Sequence, residues 1–197
     1  MLASAQGGSS PTDDAWLVAA IARGDATAFR QLVDRRAPML HRLAYHMLGD
    51  RSEAEDVTQE CFLRLWDHAA GWRPQGGGLP GWLRRVATNL CLDRLRRSRR
   101  MSSDAVPERS DDRPGADAVL DADRLARLAQ RAVLALPDRQ RAAIVLTYYE
   151  ELGNIAAAEA LQMNIKAFES LLFRARAALR ERLRTAGVRP QDVGGGK

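Results

Sequence analysis

The chain is expected to be all-α: two small helical units joined by a flexible acidic linker. Three observations support this. Nearly every apolar pattern repeats at the helical period of 3.6 and not at the strand period of two. Breaks at Gly24-Asp25, Gly49-Asp50 and Leu136-Pro137 cut the patterns into helix-sized pieces. Between Met101 and Asp123 the composition shifts to seven acids against two arginines, with Pro107 and Pro114 among them.

The first helix is placed at Asp14–Arg23, after a disordered tail over residues 1–12. A second runs from Ala26 to Arg36. Pro38 suits the first turn of a third, which carries Leu40, Leu43, Ala44 and Met47 on one side and stops at Gly49-Asp50. A fourth starts near Ser52 as N-cap and contains AEDVTQECFLRLW, Ala54–Trp66. The stretch Trp72–Gly81 is too rich in glycine and proline for either period, and a long helix follows from Trp82 to Arg99. These five form the first unit, residues 13–100, with the linker at 101–118.

Helical periodicity resumes over Val119–Ala135 and continues in Asp138–Glu151, Asn154–Leu161 and Ile165–Arg184. The second unit therefore spans residues 119–184. The tail, 185–197, has Pro190 and three consecutive glycines and reads as disordered. No repeat of solenoid type is present in the sequence.

Of 197 residues, 46% are hydrophobic and 28% charged, a globular composition, and the net charge of +5 points to a polyanionic partner. Cys61 and Cys91 sit in apolar helical patterns without CxxC or Cys/His spacing, as expected of reduced thiols holding neither metal nor disulfide. The N-terminus lacks a signal-peptide pattern, and no segment reaches the roughly 20 apolar residues of a membrane helix. A cytoplasmic protein without membrane insertion is expected. His41, His46 and His68 face no convergent Ser, Cys or carboxylate set, and no GxxxxGKS, GxxxxGKT or GxGxxG phosphate loop occurs. No catalytic residue, metal or cofactor is therefore assigned.

Charge is concentrated rather than spread. Residues 82–100 hold seven arginines against Asp93, a balance of +6, and residues 165–184 hold six bases against Glu169 and Glu181, a balance of +4. Two basic helices with an acidic tether between them fit two separated contacts on one long polyanion, or else two solvated arginine faces. The last two helices have helix-turn-helix proportions, with a turn at Gln162-Met163-Asn164 and Asn164 as N-cap. On the second of them Lys166, Glu169, Ser170, Phe173 and Arg174 share one side, and Ala167, Phe168, Leu171, Leu172 and Ala175 the packing side. A lysine or arginine there can bond guanine and a glutamate can accept from cytosine; a plain packed helix pair has the same pattern. In the first unit Trp72 and Trp82 stand beside arginines and a glycine run, as suits stacking on unpaired bases, though Trp82 suits the core equally.

In AEDVTQECFLRLW the residues Ala54, Val57, Cys61, Phe62 and Leu65 fall on one apolar arc. Opposite them Asp56, Gln59, Glu60, Leu63 and Asp67 form an acidic ridge around a leucine. Phosphate would repel this ridge; it fits either a basic, partly apolar protein surface or open solvent.

AEDVTQECFLRLW, WLRRVATNLCLDRLRR, LPDRQRAAIVLTYY and ESLLFRARAALRERL, in that order, resemble the sigma-70 family of bacterial transcription initiation factors, in particular its short extracytoplasmic-function group. The likeness spans about residues 15–184. It implies a region 2 bundle and a region 4 helix-turn-helix, and a factor that directs core RNA polymerase to promoters without chemistry of its own. By the resemblance, Asp56, Gln59, Glu60 and Leu63 dock on the beta-prime coiled coil. The loop from Trp72 to Gly81 holds an extruded base of the minus-10 element. Trp72, Arg84, Arg85, Asn89, Arg94, Arg96 and Arg97 contact that element, Asn89 having a structural hydrogen bond as its other reading. Lys166, Glu169, Ser170, Phe173, Arg174 and Arg176 read the minus-35 element, and the first helices of region 4 meet the beta flap. The linker is expected to mimic nucleic acid on the RNA exit path, and a cognate anti-sigma factor is the implied inhibitor.

Two positions depart from the family pattern. Gln162 stands where a glycine is common, which at positive φ costs about 1 kcal/mol, and Ala157 stands where an acidic or polar residue is frequent. The competing reading is a stand-alone helix-turn-helix regulator with a dimerising or sensing first unit and a palindromic site.

Overall fold

A computed structural model of the chain describes residues 11–74, 76–103 and 121–187. Among these residues there is no strand. The helices are α1 (Pro11–Ile21), α2 (Ala26–Leu48), α3 (Arg51–His68), α4 (Gly78–Ser103), α5 (Asp121–Leu134), α6 (Asp138–Ile144), α7 (Asn154–Ala160) and α8 (Ile165–Thr185), with a π-helical turn at Val145–Tyr149 after α6. Most of the expected linker and tails lies outside the described residues. Where they are described, α4 extends to Ser103 and α8 to Thr185.

The first surprise is α2, one helix where two were expected. Pro38 removes a backbone donor and clashes with the preceding turn, which ordinarily costs about 3 kcal/mol. Both Pro38 and Asp34, whose carbonyl loses its partner, are exposed, so water can meet that carbonyl. Meanwhile Ala28, Leu32, Leu40, Leu43, Ala44 and Met47 keep one buried face running past the proline. Burying each large apolar side chain is worth roughly 1.5–3 kcal/mol, and that stripe outweighs the break. Asp25 caps the start, accepting from Thr27 and Ala28.

At the other end Gly49 takes φ 76 and returns its N–H to Tyr45. A Cβ there would stand 2.7 Å from Leu134 Cδ1, so glycine also lets α5 approach. The N-cap of α3 is Asp50 and not Ser52: its carboxylate accepts from the Glu53 N–H at 2.9 Å. A carboxylate at a helix N-terminus meets both the orphan donors and the dipole, which a hydroxyl two residues later, already inside the helix, cannot do.

The glycine loop is also shorter than expected, because α4 begins at Gly78 with Pro80 in its first turn, where the missing N–H costs nothing. The core of the first unit is built by Leu32, Leu40, Leu43 and Met47 of α2, Ala54, Val57, Cys61 and Leu65 of α3, and Leu79, Leu83 and Cys91 of α4, all buried. Phe29 meets Phe62 and Trp66 edge-on, at 6.1 and 5.1 Å between centroids. Asp14, buried on α1, ion-pairs with Arg35 and Arg36 of α2. Both cysteines are buried and free, and burial pushes the Cys61 thiol up to about 12 and Cys91 upward as well.

In the second unit, α6 and α8 cross over Ile144, Leu146, Phe168, Leu171 and Leu172. The expected helix 138–151 loosens at its end. The Glu150 N–H bonds the carbonyl of Val145, five residues back, and the widened turn swings Glu150 inward.

Candidate nucleic-acid and polymerase interface

On α3 the apolar arc behaves as its periodicity demands: Ala54, Val57, Cys61, Phe62 and Leu65 are all buried. The opposite ridge faces out. Asp56, Gln59 and Leu63 are exposed, Leu63 at 60%, and Glu60 is half-buried and accepts from Arg64 at 2.9 Å. A leucine so exposed amid acids has no role in this core.

The arginine helix α4 is largely engaged within the chain. Arg94 pairs with Glu53 at 2.5 Å and lies 3.8 Å from Asp56, which ties a candidate minus-10 residue to the acidic ridge. Arg96 pairs with Asp93 one turn away. Arg84 donates to Glu150 at 3.0 Å and Asn89 to Gln162 at 3.1 Å, both across to the second unit. Arg85 has a buried Nε without a hydrogen-bond partner, and Arg97 is exposed beside an open cleft.

Trp72 is half-buried and packs against the core, as does Trp82. Together with Arg84 and Arg85 they line a cleft of about 140 Å³, closed on its far side by Leu152, Ala156, Glu159 and Ala160 from around α7. Gly76, at φ 49, sits so close to Glu159 that a Cβ would come within 2.9 Å of its Oε2.

On α8 the expected split holds. Phe168, Leu171, Leu172 and Ala175 are buried, with Ala167 partly so. Lys166, Glu169, Ser170, Phe173, Arg174 and Arg176 are all exposed, Phe173 at 74%. Arg176 leaves the common set, donating to the Tyr148 hydroxyl at 2.7 Å and lying 5.6 Å from its ring centre. Asn164 caps α8 by accepting from Ala167, as expected, and Gln162 takes φ 52, the strained conformation whose cost the sequence raises without fixing the turn's geometry. Ala157 is wholly buried, so a polar residue there would need a partner inside the pair of helices.

Sequence reasoning missed the residues joining the two units. Arg141 is buried and donates to the carbonyls of Met47 and Leu134; burial lowers its pKa to about 10. His46 bonds Gln130 Oε1 at 2.8 Å and lies 3.8 Å from the Tyr149 ring, and burial lowers its pKa. Arg99 pairs with Asp138, and Arg42 lies 3.4 Å from Glu150. No local signal marks these residues, because each is defined by a partner between 39 and 108 positions away.

An all-helical chain with an exposed acidic ridge, an arginine helix beside a glycine loop, and a capped helix-turn-helix belongs to the class of helical binding proteins. The Sigma-70 region 2 family model matches residues 32–101, and the Sigma-70 region 4 model matches residues 126–179. The ECF RNA polymerase sigma factor SigW of Bacillus subtilis is 33% identical over 184 residues, which cover 83% of this chain and 93% of SigW. SigE of Mycolicibacterium smegmatis is 35% identical over 169 residues, 82% of this chain, which spans 65% of SigE. Among solved structures, CnrH in complex with the cytosolic domain of CnrY matches at TM-score 0.64 with 28% identity, over 88% of this chain and 98% of CnrH. RpoE of Bartonella quintana, solved with the anti-sigma factor NepR, shares the fold at TM-score 0.63 and 24% identity, over 79% of this chain and 96% of RpoE. The chain belongs to the extracytoplasmic-function sigma factors of the sigma-70 family.

Proposed function

We propose that this sigma factor docks on the beta-prime coiled coil of core RNA polymerase through Asp56, Gln59, Glu60 and Leu63, and brings the enzyme to promoters carrying two spaced elements. The observation that carries the reading is Leu63, 60% exposed at the centre of an acidic ridge on a helix whose other face is fully buried. Such a ridge attracts a basic protein surface, and the leucine gives it an apolar anchor.

The minus-10 element is recognised and melted by the loop after Trp72 and by α4. Trp72 offers a face to an unpaired base, while Arg84, Arg85, Arg94, Arg96 and Arg97 supply cations for the backbone. Asn89 takes a polar contact with a base or backbone once released from Gln162. The minus-35 element is read in the major groove by α8. Lys166 and Arg174 suit guanine, Glu169 suits a cytosine amino group, Ser170 and Phe173 shape the contact, and Arg176 reaches the backbone. The apolar groove between α5 and α8, lined by Leu128, Ala132 and Ala178, fits the beta flap. The division into two bundles is placed at the linker, residues 101–118, on its acidic, proline-bearing composition, with α4 running on to Ser103. The factor contributes no catalytic group; the polymerase supplies the chemistry, and both act in the cytoplasm. Because CnrH was solved with CnrY, and RpoE with the anti-sigma factor NepR, a cognate anti-sigma factor is the fitting inhibitor.

The test is a permanganate footprint of sheared bacterial DNA with purified core polymerase, with and without this chain. Reactive thymines that need both proteins support the reading. Duplex protection by the chain alone over a palindrome would support a stand-alone regulator instead.

A further inference from the structure

Glu150 ends the π-helical turn of the second unit with its side chain wholly buried, and the two cations on it come from the first unit. Its Oε2 accepts from Arg84 Nε of α4 at 3.0 Å, and its Oε1 lies 3.4 Å from Arg42 Nε of α2. Two guanidinium groups from different helices thus converge on one anion. Arginine pairs of this kind suit a tetrahedral phosphate as well as a planar carboxylate, because each fork offers several donors.

The carboxylate reaches this place only while the second unit sits on the first. The same seating closes the Trp72 and Trp82 cleft with α7, and lets Gln162 occupy Asn89. Beside apolar contacts such as Leu134 on Gly49 and the His46 ring on Tyr149, it has polar anchors: Arg141 on the Met47 carbonyl, His46 on Gln130, Arg99 on Asp138. When the units part, water can replace each of these polar bonds, so this mixed seam separates more readily than a wholly apolar one of the same area.

We propose that Arg42 and Arg84 form a phosphodiester-binding site on the first unit, and that Glu150 is an internal anion filling it until DNA takes its place. The proposal rests on the DNA-binding role given to α4 and adds to it Arg42, a residue on α2. DNA binding and closure of the two units then compete for the same two cations, and free chain binds DNA more weakly than its arginines alone would allow.

The test uses the full chain and a fluorescein-labelled forked DNA of arbitrary sequence, with affinity followed by anisotropy across a salt series. Glu150→Gln keeps the shape and removes the charge. It should tighten binding by roughly three- to tenfold and steepen the plot of log K against log salt, by about 0.7–0.9 for each phosphate gained. Adding Arg42→Ala to Glu150→Gln should take back about one such contact, while adding Arg30→Ala, an exposed arginine elsewhere on α2, should take back none. Wild-type affinity and slope in Glu150→Gln, or equal losses from Arg42→Ala and Arg30→Ala, would overturn the site. Hydrogen exchange of the wild type needs no variant to fold: DNA should speed exchange over residues 145–160, and unchanged or slower exchange there would overturn the competition. Co-elution of wild-type chain with core polymerase separates the two ideas. Core binding with no Glu150→Gln effect sinks the anion site alone, and a Glu150→Gln effect without core binding sinks the polymerase role alone.

Discussion

Gln162 holds the helix-turn-helix turn at φ 52, a region where a side chain is strained and glycine is not. Its one inter-unit bond, from Asn89 at 3.1 Å, is exposed. Replacing Gln162 by glycine relieves about 1 kcal/mol of strain and loses a solvent-exposed hydrogen bond worth about 0.5 kcal/mol or less. Alanine loses the same bond and keeps the strain. The difference between the two variants therefore isolates the backbone, and Gln162→Gly should be more stable than Gln162→Ala by about 1 kcal/mol, some 2–4 °C in a chain of this length. Urea and thermal unfolding followed by circular dichroism measure it. Equal stability, or a more stable alanine variant, would show that residue 162 does not hold the left-handed conformation and would remove the account of the turn.

Acid should loosen the chain through His46. Its pKa is lowered chiefly by burial, so the folded state binds its proton less well than the unfolded state does. That contribution is complete above the unfolded value near 6.5 and fades as pH falls below it; His46→Gln should flatten the stability profile below that pH in a denaturant titration. Cys61 and Cys91, buried with raised thiol pKa values, should resist iodoacetamide at pH 8 until denaturant is added; rapid labelling of the folded chain would contradict their burial. Arg174→Ala should weaken holoenzyme binding to the upstream element by about 1–3 kcal/mol in a gel-shift competition if it reads a base, and equal loss on every sequence would make it a backbone contact.

Helix faces were legible because they need only local periodicity. The buried arc of α3, the buried and exposed sides of α8 and the Asn164 cap all follow from spacing and residue type within one or two turns, whereas the positive φ of Gln162 does not, glutamine being no marker of that conformation. Where the reading failed, a distant partner overrode a local rule. Pro38 does not end α2, since the apolar stripe on both sides of it finds the same core. The cap of α3 is the exception, a local misreading: Asp50 displaces Ser52 because its carboxylate stands one residue before the helix. The π-helical turn and the buried Glu150 depend on α2 and α4, which no pattern within residues 138–151 could indicate. Arg42 escaped notice for the same reason, being one arginine in a mixed-charge stretch until the fold sets it beside Glu150.

The polymerase role turns on Leu63. Purified chain, wild type beside Leu63→Asp, should be run with bacterial core RNA polymerase on a size-exclusion column, with circular dichroism melts of both. Wild-type co-elution that Leu63→Asp abolishes, with helicity and melting unchanged, is the expected result. Wild type that fails to co-elute, or Leu63→Asp that binds as wild type does, would contradict the assignment of the acidic ridge to core polymerase.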